Sequence, residues 1–203
     1  MAEGRAVVFD VGNVLYGWDI ASLYRKLIPD PDDLAWFVGH VVTPAWHFQH
    51  DAGRPSAETV AELTDAFPDH AALIAAYVPR WLETITGPVP DMLELVDELV
   101  ALDVPLYAIT NFSAEFWPRF RATAPVFDHF RDILVSGEEK MLKPDPAIFT
   151  LGLKRFGLEG QSPIFIDDRA DNVAVAKAHG YTALLFEDAA TLRAQLRGLG
   201  FAL

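Results

Sequence analysis

The chain has 203 residues, 51% of them apolar and 22% charged, with a formal net charge of −13 and no cysteine. That length suits one core domain with a modest insertion, and the balance is globular rather than disordered. Disulfides, thiolate catalysis and zinc–thiolate sites are excluded, and an acidic surface argues against nucleic-acid binding.

The opening MAEGRAVVFD has neither a cationic leader nor a small-residue cleavage site, and no stretch reaches the ~18 consecutive apolar residues of a membrane span. A soluble cytoplasmic protein without a membrane partner is expected. Residues 6–11 form the first short apolar run, which predicts a buried strand. About seventy residues without a comparable run follow, with helical spacing at 20–27, 32–40, 57–66 and 71–81. Turn clusters interrupt them at Pro29-Asp30-Pro31 and Gly53-Arg54-Pro55. The acidic run Asp30–Asp33 reads as a solvated turn. Strands are then predicted at 105–110, 133–136, 163–166 and 182–186, and helices at 91–102, 147–156, 171–179 and 189–199. Pro90 precedes the first of these helices, and Gly180 stops the third.

Continuous apolarity marks strands covered on both faces, and alternation with helices marks a doubly wound, Rossmann-like parallel α/β sheet. The expected division is a core of residues 1–16 and 88–203 with an inserted all-helical cap at 17–87, hinged at Gly17 and Gly87-Pro88.

In such sheets ligands bind beyond the carboxyl ends of the strands. There the sequence places Asp10, Gly12, Thr110, Asn111, Lys143, Asp167 and Asp168. Asp10 and Asp168 are hard oxygen donors suited to Mg²⁺. A metal between them offsets their repulsion and the repulsion of an anionic substrate by an acidic protein. A free oxygen of Asp10 is then placed to attack phosphorus. Lys143 can pair with Asp10 and the phosphoryl oxygens, and Thr110 and Asn111 can donate to those oxygens. Gly12 is expected to turn the backbone sharply, so that its carbonyl faces the metal.

The segments FDVGNVL, ITN, KPDPAIF and IFIDDRADN occur in this order and span nearly the whole chain. Together they resemble the four motifs of the haloacid dehalogenase superfamily, and the insertion resembles its C1-type cap. The resemblance implies a Mg²⁺-dependent phosphatase acting on a small phosphorylated molecule through an aspartyl-phosphate. It implies Asp10 as nucleophile and metal ligand, and the Gly12 carbonyl and Asp168 as further ligands. Thr110, Asn111 and Lys143 become the phosphate-binding groups, with Lys143 also stabilising charge, and Asp167 and Asn172 support them. GNVL, AWHFQHDAG and NFSAEFWP are similar to an α-glucose-1-phosphate phosphatase subgroup, which implies a sugar phosphate.

One position departs from the pattern. Phosphatases of the family usually carry a second Asp where this chain has Gly12. Asp19, His47 or His50 are candidates to replace that acid, although the two histidines read more simply as polar cap-surface residues. Trp18 and Trp46 are the aromatics best placed to meet a substrate; Trp36, Phe37 and Trp81 read as cap core, and Asp171 as a solvent-facing first-turn residue. Two rival readings follow from the missing acid: a metal-independent 2-haloacid dehalogenase, and a non-catalytic phospho-ligand-binding protein. The acidic pair Asp167-Asp168 opposes the first, because dehalogenases carry Ser there. A monomer and a homodimer are both compatible with the sequence.

Overall fold

The structure, a computed structural model, describes residues 5–203. The expectation of no cationic leader falls partly on residues 1–4, which lie outside the described residues. Strands β1 (Val7–Phe9) and β2 (Tyr16–Trp18) lead into α1 (Ile20–Tyr24), α2 (Pro31–His40), α3 (Pro44–Asp51), α4 (Ser56–Ala66) and α5 (Ala71–Arg80). The chain returns through β3 (Ile85–Pro88) to α6 (Met92–Ala101), β4 (Leu106–Thr110), α7 (Trp117–Arg121), β5 (Asp132–Val135) and α8 (Ser136–Glu139). It ends with α9 (Pro146–Phe156), β6 (Ile164–Asp167), α10 (Ala170–Ala178), β7 (Thr182–Leu185) and α11 (Ala189–Gly198).

All five predicted strands form one parallel sheet in the order β5-β4-β1-β6-β7. The apolar runs are continuous because both faces are covered. Val7 and Phe9 pack into one core cluster and Val8 into the other; Leu106 and Ala108 are likewise opposed to Tyr107 and Ile109. Chain order runs outward from β1 in both directions, so the crevice beside the tip of β1 is the topological switch point. β1 is shorter than the 6–11 run, and Val11 packs in the turn beyond it, where Leu15 and Tyr16 N–H donate to the Val11 carbonyl.

The helices are set by their ends. Asp145 caps α9 by accepting from the Ala147 N–H at 2.8 Å, Pro146 opens it, and Gly157 closes it at φ +67°. Asp30 caps α2, with Asp32 and Asp33 in its first turn, so the acidic run is a helix start rather than a loose turn. Pro90 lies before Asp91, the residue that precedes α6, and is not in the first turn.

The insertion is all-helical, as expected, but its two connections pair with each other. β2 and β3 form an antiparallel ribbon with Gly17 opposite Gly87. The predicted hinge glycines are thus a paired two-strand neck. The sequence reading also lacked α3, which Thr43 caps on the Trp46 N–H and Pro44 opens. No helix among the described residues is long and apolar enough to cross a membrane.

Candidate active site

A cavity of about 190 Å³ opens between the carboxyl edge of the sheet and the helical cap. Its floor holds Asp10, Gly12, Asn111, Lys143, Asp168 and Asn172; its wall holds Trp18, His47, Phe48, Asp51, Trp81 and Phe112. Arg169, paired with Asp171 at 2.7 Å, stands at the rim.

The floor is an ionic lattice. Lys143 Nζ donates to Asp167 Oδ2 at 2.7 Å and forms an ion pair with Asp10 Oδ1 at 2.8 Å, with all three side chains buried. Asp167 is saturated, because Asn172 Nδ2 donates to both its oxygens and the Arg169 N–H donates to Oδ1. The Val11 N–H takes Asp10 Oδ1 as well, at 2.6 Å, and Asp10 Oδ2 has no donor among the described residues. Burial pushes the Asp10 carboxyl up to about 7, and the Asp167 and Asp168 charges add to this while Lys143 opposes it. Burial and the Asp167 charge also raise Asp168. Burial works to lower Lys143, but the Asp10 and Asp167 charges outweigh it and the ammonium is held above its ordinary value.

Oxygens of Asp10, Asp167 and Asp168 lie within 4.8 Å of one another. Hard donors at that spacing fit a divalent cation that keeps several waters. The fit is electrostatic too, since like charge already works against ionised Asp10 and Asp168. Asp10 and Asp168 keep oxygens for an ion, whereas those of Asp167 are already engaged.

Several predicted residues stand elsewhere than expected. The Asn111 amide, on the cavity floor, faces the main chain of Lys143, donating to its carbonyl at 2.9 Å and accepting from its N–H at 2.8 Å, so these two bonds hold the lysine in place. Thr110 Oγ1, at the tip of β4, is buried without a hydrogen-bond partner among the described residues. Gly12 does not make the sharp turn; Asn13 does, at φ +57°, and its Oδ1 accepts from the Trp18 N–H at 3.1 Å. Asp19 caps α1 and pairs with Arg25 at 3.0 Å, away from the cavity. Trp46 and His50 belong to the cap interior, where Trp46 Nε1 donates to the Thr59 carbonyl and His50 Nε2 meets Thr59 Oγ1 at 2.6 Å. Trp18 lines the cavity, its ring tilted 32° against that of His47 at 4.6 Å between centroids.

The histidines are not surface residues: His47 is 5% exposed and His50 1%. Burial holds them down at about 3 and about 4, so both imidazoles are neutral near pH 7. Their helix also carries Asp51 into the cavity, a residue the sequence reading missed. Asp51 is 2% exposed, and burial, aided by the Asp10 charge and opposed by the Ser113 N–H, pushes its carboxyl up to about 8. The missed signal was Thr43-Pro44, which starts a helix and puts His47 and Asp51 one turn apart on one face.

A parallel sheet with an acidic cluster at its switch point and a helical cap defines a class of capped α/β hydrolases. The family model described as haloacid dehalogenase-like hydrolase matches residues 5–180, and the chain belongs to that family. The sesquiterpene phosphatase astK of Aspergillus oryzae is 25% identical over 198 residues, 96% of each chain. The magnesium complex of the HAD family enzyme BT-2542 of Bacteroides thetaiotaomicron superposes with a TM-score of 0.74 at 20% identity, covering 96% of this chain and 98% of that one. L-2-haloacid dehalogenase of Xanthobacter autotrophicus superposes at 0.63 with 17% identity, over 98% of this chain and 85% of that one. The last two establish the fold.

Proposed function

We propose that the protein is a Mg²⁺-dependent phosphatase of small phosphate monoesters, working through an aspartyl-phosphate on Asp10. One observation carries the reading: Asp10 keeps Oδ2 free while Lys143 Nζ holds its Oδ1 at 2.8 Å, inside a three-carboxylate cluster. Asp10, the Gly12 carbonyl and Asp168 would hold the cation, while Asp167 stays engaged with Lys143, Asn172 and the Arg169 N–H. When bound, the cation neutralises substrate charge and polarises a phosphoryl oxygen. Asp10 Oδ2 attacks phosphorus in line with the departing ester oxygen. Lys143, which has one more N–H to give, and the unpartnered Thr110 hydroxyl steady the phosphoryl oxygens, and the Asn111 amide fixes Lys143. Residues 17–87 act as the cap that excludes water, and their aromatic wall selects the leaving group. A sugar phosphate suits that wall, since Trp18, half-buried at the cavity, offers an indole for the C–H face of a pyranose.

The named phosphatase activity of the Aspergillus relative supports this reading. A 2-haloacid dehalogenase is disfavoured because three carboxylates would repel the substrate's own. A non-catalytic binder rests on Gly12 alone. Phosphate release from a panel of monoesters, with and without EDTA, decides among them. Release that EDTA stops and Asp10→Asn abolishes is the expected result; release that survives Asp10→Asn overturns the proposal, and so does chloride release from 2-chloropropionate without phosphate release.

A further inference from the structure

We propose that Asp51 is the general acid and base of the reaction, supplied by the cap in place of the carboxyl missing at Gly12. The inference rests on the phosphatase reading above. A Cβ built on Gly12 meets no atom within 4 Å, so position 12 leaves open space on the cavity floor and no acid there. Asp51 lines the same cavity from the cap side, and its Oδ1 is buried without a hydrogen-bond partner among the described residues. The nearest cation-forming group, His47 Nε2, is 3.4 Å from that oxygen, but the contact lacks hydrogen-bond alignment. An unpaired buried carboxyl oxygen costs stability unless something arrives to use it.

Asp51 is also held as a positioned acid must be. The Ser136 hydroxyl donates to its carbonyl at 2.7 Å and accepts from the Phe112 N–H at 2.9 Å, so the end of α3 is tied to the core loop beside β4. The next turn presses closer still: a Cβ on Gly53 would lie 2.8 Å from the Gly137 carbonyl. Tyr77 Oη stands 2.6 Å from His47 Nδ1. With the phenol donating to Nδ1, the neutral imidazole carries its proton on Nε2 and faces Asp51 Oδ1. His47 is a positioning residue here; it is held neutral, and its Nδ1 is engaged by Tyr77. Burial keeps Asp51 protonated near pH 7, the form a general acid needs.

The two half-reactions balance. As the Asp10 Oδ2–P bond forms and the P–O(ester) bond breaks, the ester oxygen keeps the electron pair and takes the Asp51 proton, leaving as an alcohol. Asp51, now a carboxylate, removes a proton from water as the water oxygen bonds to phosphorus. The P–O(Asp10) bond breaks, releasing inorganic phosphate and restoring both carboxyls.

The test compares phenyl phosphate with p-nitrophenyl phosphate, which share a shape but not a need for protonation on departure. Asp51→Asn is expected to lower kcat/KM about 10²-fold for the phenyl ester and under about tenfold for the nitrophenyl ester. With nitrophenyl ester it should also release a burst of one phenolate per enzyme and gain the mass of one phosphoryl group on acid quench, because the base for the second step is gone. Equal losses on both esters without phosphoenzyme overturn the proposal. The unaltered chain gives an independent reading that does not depend on how the variant folds: similar kcat/KM on the two esters supports Asp51, and a steep preference for the nitrophenyl ester overturns it. Asp10→Asn separates the two proposals, since phosphate release surviving that change defeats the phosphatase reading whatever Asp51 does.

Discussion

The floor and the wall of the cavity are built on opposite principles. On the floor, Asp10, Lys143, Asp167 and Asn172 are cross-linked by short charged hydrogen bonds. In the wall, aromatic rings stack around polar atoms left unpaired, among them Trp18 Nε1 and Asp51 Oδ1. A locked ionic floor serves chemistry that every substrate shares, because its groups need no reorganisation when charge develops. An under-paired aromatic wall serves selection and closure, because it still has contacts to make.

The contrast sets an order of expected effects. Asp10→Asn should lower phosphate release by at least about 10⁴-fold with little change in melting, read by steady-state kinetics and calorimetry; a loss under tenfold would deny Asp10 its role. Lys143→Met strikes charge and stability together. It strands Asp10 and Asp167 as buried unpaired carboxylates, so urea denaturation should show a loss of about 3–5 kcal/mol beside a fall of about 10²–10³-fold in kcat. Thr110→Val removes a hydroxyl that has no partner to lose. Its stability should stay within about 0.5 kcal/mol while kcat/KM drops about 10-fold or more, and the reverse pattern would mark the hydroxyl as structural.

The smallest effect belongs to the wall. Burial holds His47 and His50 at about 3 and about 4, well below the ordinary imidazole value of 6.5. Their contribution to stability is complete above the unfolded value and is lost as pH falls toward the folded ones, because the unfolded chain binds protons that the fold refuses. Asp51, raised to about 8, acts in the opposite sense, favouring the fold below its unfolded value and losing that advantage as pH rises. Replacing both histidines by Gln removes only the first slope. The double variant should therefore lose less melting temperature than the parent between about pH 6.5 and pH 4.5, by roughly 10 °C; an unchanged slope would mean the histidines are not held neutral.

Legibility in the sequence divides along the same line. The five strands and their polar tips were readable because β1, β4 and β6 are apolar on both faces and then stop at Asp10, Thr110 and Asp167. Strand ends slipped by one or two residues because apolarity does not separate a ladder from the packed turn after it, as at Val11. The β2–β3 neck escaped because Tyr16-Gly17-Trp18 is too short to show alternation. Helix α3 escaped for a more telling reason: three of its buried residues are His47, His50 and Asp51, so burial left no apolar period to find. Polar residues buried for a task hide the element that carries them, and Asp51 was lost with it. Asn111 was located at the site from sequence, yet which way its amide points depends on the loop carrying Lys143 folding back against β4.

Stereochemistry at phosphorus tests the covalent step most directly. A monoester made chiral with oxygen isotopes, hydrolysed in isotopically distinct water, should yield phosphate with retained configuration, the outcome of two in-line displacements through Asp10. Inversion would mean that water attacks the substrate directly, and Asp10 would then be a metal ligand and nothing more.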